Sequence, residues 1–215
     1  MSPASSDSHD VPFVVIDMQR IFGEQNSPWF APRFVEAATG VESLLGAFRD
    51  RVVFTRFLAP AVPQGAWIPY YEQWPFALDP ANASLYDMMP EFEVASAVGM
   101  ATGTAAASAA AAGNAAAGGF TVDKTTFGKW GPELAEATRA SGEMVLAGVS
   151  TDCCVLSTAL AAVDEGVRVR VVSDACAGIS DADHQRALDV MALYAPLIEI
   201  TTVRQLIEER AAGSQ

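Results

Sequence analysis

The strongest constraint on the fold is a regular alternation of short apolar runs with segments of helical periodicity. The run Val11–Ile16 is apolar and rich in β-branched residues, as expected of a buried strand. The segment that follows it carries apolar residues at helical spacing from Phe34 to Phe48. The six predicted strands are 11–16, 51–57, 120–123, 143–149, 167–172 and 197–201. This alternation predicts a doubly wound α/β fold with a six-stranded, mainly parallel sheet and helices on both faces.

Two later helices are predicted from their first residues. Pro132 follows Gly131 and stands in a first turn, where proline is permitted. Ser180 precedes a run of acidic residues and is predicted to cap a helix that continues through Tyr194.

Length and composition indicate one domain. The chain has 215 residues, of which 51% are hydrophobic, and this is enough to bury a core. Residues 11–215 are predicted to form this domain, preceded by a flexible polar tail at 1–10 that lacks the layout of a signal peptide. No apolar run is long enough to span a bilayer. Three cysteines do not make a disulfide framework, so a reducing, cytoplasmic setting is expected.

Charge and histidine content exclude several classes of ligand. The formal net charge is −13, whereas nucleic acids and anionic membranes are bound through basic patches. Neither is therefore expected as a partner. The two histidines are His9 and His184, and no His/Cys/Asp cluster has the spacing of metal ligands. We expect a small-molecule ligand, no metal and no other cofactor.

Two stretches interrupt the alternation. Residues 58–90 are rich in Pro, Trp and Tyr and predict a long ordered loop, either a lid over a pocket or a packed irregular segment. Residues 95–119 consist mainly of Ala, Gly, Ser and Thr and predict a surface insertion, to which no function is assigned.

Three chemically active side chains stand at predicted strand ends, where parallel sheets bind their ligands. Asp17 ends the first strand, Lys124 ends the third, and Cys154 follows the fourth. The cysteine lies in the segment Gly148–Val155, between a strand and the start of a helix. Free N–H groups and the helix dipole favour a thiolate there, and a thiolate attacks carbonyl carbon. The sequence thus predicts a cysteine hydrolase.

Three motifs resemble those of the isochorismatase-like cysteine hydrolases, a superfamily of nicotinamidases, N-carbamoylsarcosine amidases and isochorismatases. The motifs are Val14–Gln19, Lys124–Phe127 and Gly148–Val155. The likeness extends in motif order and spacing from about Val11 to Ile207. It implies the isochorismatase-like hydrolase fold and a catalytic triad of Asp17, Lys124 and Cys154.

The resemblance also implies a mechanism. Asp17 takes the proton of Cys154, and Lys124 stabilises the pair. The thiolate attacks the substrate carbonyl and forms a thioester, which water then hydrolyses. The backbone N–H groups of Ser150 and Cys154 would hold the oxyanion, next to a cis peptide bond between Val149 and Ser150. Each such donor is worth about 10²–10³ in rate.

Neighbouring residues compete for two of these roles. Cys154 directly precedes the valine of the motif and is preferred as the nucleophile. Cys153 is expected to be a buried residue that packs in the core. Lys129 ranks second to Lys124, which matches the family position and ends its strand.

Other polar residues are expected to be structural, and the pocket is assigned from position. Cys176 is predicted to be structural, Asp174 to cap a turn and His184 to lie on the surface. Four residues are candidates for the substrate pocket: Gln19, Phe22, Trp74 and Phe127.

Departures from the family pattern limit the choice of substrate. Nicotinamidases of the superfamily carry a metal site with histidine. No histidine lies between His9 and His184 in this chain, so a nicotinamidase is not expected. Siderophore-pathway isochorismatases often lack the cysteine, so Cys154 favours cleavage of an amide, lactam or carbamoyl C–N bond. The segments 124–134 and 150–154 also resemble streptothricin hydrolase-type members, which open a lactam. The alternatives to C–N cleavage are vinyl-ether hydrolysis and a catalytically inactive binding protein.

Family members often form dimers or tetramers, so a homo-oligomer is expected.

Overall fold

The sheet has six strands, and all of its neighbouring strands run parallel. The computed structural model describes residues 11–48, 51–93 and 120–213. The strands are β1 (Phe13–Ile16), β2 (Val52–Phe57), β3 (Phe120–Lys124), β4 (Glu143–Val149), β5 (Arg168–Ala177) and β6 (Ile198–Thr201). Their order is β3-β2-β1-β4-β5-β6. The predicted doubly wound α/β fold is confirmed, and the sheet is wholly parallel in the described part of the chain.

Helices connect the strands. They are α1 (Arg20–Gly23), α2 (Phe34–Phe48), α3 (Trp67–Gln73), α4 (Pro132–Thr138), α5 (Leu156–Asp164), α6 (Asp181–Ala192) and α7 (Val203–Gly213). Helices α2 and α7 contact each other and β5, while α5 and α6 also contact each other and β5. Right-handed crossovers place these two pairs on opposite faces of the sheet. Within the described ranges, no helix has the length and apolarity needed to cross a membrane.

The core follows from the strand sequences. All four residues of β1 and six of the seven residues of β4 are buried. Strands covered on both faces need apolar side chains at every position, which explains their continuous hydrophobic runs. The apolar side of α2, from Phe34 to Phe48, packs onto this sheet as its periodicity predicted.

Several predicted boundaries differ from the structure. Residues 58–90 are not a continuous loop, because they contain α3 and two 3₁₀ helices, Pro75–Leu78 and Pro80–Tyr86. Strand β5 continues to Ala177 instead of ending at 172, since a register shift lets it pair again with β4 beyond its polar residues. Helix α6 ends at Ala192 rather than Tyr194. The predicted tail at 1–10 and the insertion at 95–119 lie outside the described residues.

Candidate active site

The candidate site lies where the strand order reverses, between β1 and β4. Asp17 follows β1 and Ser150 follows β4, at the carboxyl ends of the two strands. Gly148 permits their close approach: its φ is 111°, and a Cβ there would lie 2.1 Å from the Ile16 carbonyl oxygen. Ligands of doubly wound folds bind at this point of the sheet.

Asp17 is held in a constrained and fully buried position. Its φ of 50° lies in the left-handed region, which is uncommon for a residue other than glycine and clusters at functional sites. Thr55 fixes the carboxylate, because its hydroxyl donates to Asp17 Oδ1 at 2.6 Å and its carbonyl accepts from the Asp17 amide at 3.2 Å. Among the described residues, no group donates a hydrogen bond to Oδ2. That oxygen is therefore available to accept a proton.

The lysine beside Asp17 is Lys129. Its Nζ lies 2.9 Å from Asp17 Oδ2, outside hydrogen-bond geometry, and neither side chain is exposed. The ammonium donates to the Thr126 carbonyl oxygen at 2.7 Å and lies 5.0 Å from the centre of the Phe57 ring. The ion pair thus has a hydrogen bond and a cation–π contact to offset its desolvation.

Lys124, the lysine ranked first from the sequence, is not brought to Asp17. Its Nζ donates to Glu133 at 2.9 Å, in an ion pair that solvent reaches. Lys124 ends the edge strand β3, which is separated from β1 by β2, and two strand spacings amount to about 10 Å. The chain then crosses from β3 to β4, and this crossover carries Lys129 over the end of β1.

Cys153 and Cys154 lie in one π-helical turn, Thr151–Val155, which we call the cysteine turn. Cys154 is buried with 3% exposure, whereas Cys153 is half-buried. A single residue connects the turn to Lys129, because the Thr158 hydroxyl donates to the Cys154 carbonyl at 2.7 Å and accepts from the Lys129 amide at 2.9 Å. The positions of the nucleophile candidate and of the lysine are therefore coupled through α5.

The surroundings of Cys154 favour a thiol over the thiolate expected at a helix start. A hydrogen bond with Cys153, burial and the charge of Asp17 raise its pKa well above the ordinary value. The same hydrogen bond lowers the pKa of Cys153, while burial and Asp152 oppose that shift. Here the hydrogen bond with Cys153, burial and the nearby carboxylate outweigh the helix dipole, so Cys154 must lose its proton during the reaction.

The four predicted pocket residues divide into two kinds. Gln19 is fully buried, and its side-chain amide is hydrogen-bonded to the backbone. It donates to the Phe57 and Tyr86 carbonyl oxygens and accepts from the Phe57 amide. It therefore holds the 58–90 segment to β2 instead of facing a ligand. Phe22, Trp74 and Phe127 belong to an aromatic cluster.

The aromatic cluster brings the 58–90 segment close to the cysteine turn. Tyr70 contacts the rings of Trp67 and Phe127, with ring centres 5.3 and 5.6 Å apart, and all three are half-buried. Burial raises the pKa of Tyr70, and the charges of Cys153 and Cys154 raise it further. The Tyr70 side chain thus lies within electrostatic reach of both thiols. The aromatic content of this segment is evident in the sequence, but the position of Tyr70 at the site is not.

Similarity to known proteins agrees with this arrangement. Residues 12–205 match the family model described as the isochorismatase domain. The chain belongs to the isochorismatase family. An isochorismatase domain-containing protein 2 of Xenopus laevis is 39% identical over 71 residues, which cover 32% of this chain. That match spans 35% of the frog protein's length.

Solved structures share the family fold. A cysteine hydrolase from Pseudomonas syringae pv. phaseolicola 1448A is 17% identical, with a TM-score of 0.73 and coverage of 95% of this chain and 94% of that one. An isochorismatase family protein from Desulfovibrio vulgaris is 18% identical, with a TM-score of 0.71 and coverage of 94% and 98%. A pyrazinamidase from Pyrococcus horikoshii, solved in complex with zinc, is 21% identical, with a TM-score of 0.64 and coverage of 90% and 99%.

In the described part of the chain, no group of three or more His, Cys, Asp or Glu side chains is placed to hold a metal ion. His184, the histidine within the domain, is instead half-buried beside the cysteine turn, where Thr151 contacts its Nδ1 at 2.8 Å. It is thus less exposed than predicted, because the β5–α6 connection packs onto the turn.

The structure also locates the cis peptide bond and two residues that the sequence assigned structural roles. A cis peptide bond joins Val149 and Ser150, as the resemblance implied. Cys176 is buried, and burial raises the pKa of its thiol to about 12. Asp174 accepts a hydrogen bond from the Val203 amide at 2.8 Å, at the start of α7. Neither residue contributes to the Asp17–Lys129 pair.

Proposed function

We propose that this family member is a metal-independent hydrolase that cleaves a C–N bond of a small molecule through a thioester on Cys154. The bond would belong to an amide, a lactam or a carbamoyl group. The observation that carries the proposal is the fully buried Asp17–Lys129 pair at the end of β1, within electrostatic reach of the Cys154 thiol. Buried charges of this kind are costly to maintain, and they cluster at functional sites.

The first half-reaction begins with proton transfer from Cys154 to Asp17. The Oδ2 atom, which accepts no hydrogen bond within the described residues, receives the proton. The thiolate attacks the carbonyl carbon as the π electrons of the carbonyl group move to its oxygen. When the tetrahedral intermediate collapses, the C–N bond breaks and the leaving nitrogen takes the proton from Asp17. The products of this step are a free amine or ammonia and an acyl group in thioester linkage to Cys154.

The second half-reaction restores the protein. Asp17 takes a proton from water as the oxygen attacks the thioester carbon. The C–S bond then breaks, and the thiolate recovers its proton from Asp17. A carboxylic or carbamic acid leaves. The role of Lys129 is to stabilise the carboxylate and the transient thiolate.

The surroundings of the thiols support a substrate with a flat or apolar part. Tyr70, Trp67 and Phe127 form an aromatic wall near the cysteine turn, and Trp29 extends it toward Trp74. Aromatic side chains bind planar and apolar groups with large contact areas. A lactam is one candidate within the proposed class of bonds.

The test is a panel of primary amides, N-carbamoyl amines and lactams, with intact-mass analysis of acid-quenched protein. We expect turnover of at least one class and an acyl adduct on Cys154. The Cys154→Ala variant should lose turnover, whereas Cys176→Ala should retain it. Retained turnover in Cys154→Ala would contradict the thioester and favour Asp17-dependent ether hydrolysis. An unreactive Cys154 and no turnover across the panel would favour a binding protein.

A further inference from the structure

Hydrogen bonds tie the start of the cysteine turn to the connection between β5 and α6. Asp152 Oδ1 accepts from the Ser150 hydroxyl at 2.6 Å and from the Ile179 amide at 3.0 Å. One residue earlier, the fully buried Thr151 hydroxyl lies 2.8 Å from His184 Nδ1. The turn is therefore anchored through two adjacent side chains to an element that contributes neither Asp17 nor Lys129.

Gly178 makes this anchorage possible. A Cβ at position 178 would lie 2.7 Å from Asp152 Oδ1 and 2.9 Å from the His184 amide nitrogen. These distances are too short for a real side chain, so the connection approaches the turn as closely as its backbone permits.

Within the described ranges, the Asp152 carboxylate takes part in no ion pair, and its Oδ1 accepts hydrogen bonds from the Ser150 hydroxyl and the Ile179 amide. These hydrogen bonds fix Ser150, which directly follows β4 and precedes the cysteine turn.

We propose that Asp152 and His184 are positioning residues, which hold the Ser150 amide toward the oxyanion that forms when Cys154 attacks an acyl carbon. The inference rests on the proposed thioester mechanism. An oxyanion donor must lie about 2.7–3.1 Å from the developing charge, and one donor is worth about 10²–10³ in rate. A displacement of about 1 Å can cost about 10²-fold. Anchoring Ser150 from outside the turn provides the required rigidity.

Two chemical probes separate this role from general damage to the turn. p-Nitrophenyl acetate acylates a thiolate through a tetrahedral oxyanion and releases nitrophenolate, which is followed by absorbance. Iodoacetamide alkylates the same sulfur by displacement at carbon, without an oxyanion. Both reactions are assigned to Cys154 by mass spectrometry of the full chain, in a Cys153→Ala, Cys176→Ala background.

The Asp152→Ala variant should acylate about 10–100-fold more slowly, as expected for a misplaced oxyanion donor. Its alkylation rate should remain unchanged. Asp152→Asn keeps an oxygen that accepts from Ser150 and Ile179, so it should restore acylation to within about threefold. Asp164→Ala, at the exposed end of α5, is the matched control.

His184 is tested in the same way. His184→Leu removes the partner of Thr151, whereas His184→Asn places an amide near the position of Nδ1. We expect slower acylation in the first variant and recovery in the second. Unchanged acylation in both Asp152→Ala and His184→Leu would overturn the positioning role, and so would an equal loss of acylation and alkylation. Absence of any Cys154 acylation in the parent protein would overturn the proposed function itself.

Discussion

The Lys129 ammonium lies 2.9 Å from the Asp17 carboxylate, and both side chains are wholly removed from solvent. This ion pair is the charged centre of the site, and Lys124 forms a separate, solvent-accessible pair with Glu133. Breaking a buried pair by removing one partner leaves an uncompensated charge, whereas an exposed pair contributes little. The two lysines therefore differ in a way that stability measurements can detect.

Lys129→Met should lower the free energy of unfolding by about 3–5 kcal/mol, because Asp17 would remain buried without its counter-ion. Lys124→Met is the matched control and should change it by less than about 1 kcal/mol. Guanidinium denaturation of both variants measures the difference. Equal effects in the two variants would contradict the assignment of Lys129 as the partner of Asp17.

Thr158→Val tests the connection between the cysteine turn and Lys129. The substitution keeps the shape of the side chain but leaves the Lys129 amide and the Cys154 carbonyl without the hydroxyl that joins them. We expect a loss of about 1–3 kcal/mol in the free energy of unfolding, the cost of unsatisfied buried groups. Thr39→Val, at an exposed position of α2, should have little effect. Equal free energies of unfolding in Thr158→Val and Thr39→Val would show that the connection is not important for stability.

The central strands β1 and β4 were predictable because they are buried on both faces. Every residue of β1 had to be apolar, so the run before Asp17 stands out in the sequence. The location of Cys154 followed from the junction of β4 with a helical segment. The ends of β1 and β4 are thus encoded locally, and the switch point lies between these two strands.

The choice between Lys124 and Lys129 was not encoded locally. It depends on how the crossover from β3 to β4 passes over β1. The strand-end position and the match to the family motif both favoured Lys124, whereas Lys129 is the lysine paired with Asp17. The roles of Thr55 and Thr158 were missed for the same reason, because their hydroxyls act across 38 and 29 residues of sequence. A buried threonine carries no periodic signal that distinguishes it from packing.

Gly148→Ala should prevent β4 from packing against β1. The new Cβ would lie 2.1 Å from the Ile16 carbonyl oxygen at a φ that only glycine adopts readily. We expect a loss of more than about 3 kcal/mol in the free energy of unfolding, or failure to fold. Gly46→Ala in α2 meets no neighbouring atom and should stabilise the protein by about 0.5–1 kcal/mol. Normal stability of Gly148→Ala would contradict the close approach of the two strand ends.

The pH dependence of alkylation tests which thiol ionises first in the resting protein. The pKa of Cys153 is lowered and that of Cys154 is raised, so the alkylation rate of Cys153 should increase at a lower pH than that of Cys154. Cys176, whose pKa is about 12, should react more slowly than Cys153 throughout the neutral range. Because the hydrogen bond with Cys153 is the main cause that raises the pKa of Cys154, Cys153→Ala should move the Cys154 midpoint to lower pH. Peptide mass spectrometry resolves the cysteines, and a Cys154 midpoint below that of Cys153 in the parent protein would show a preformed thiolate instead.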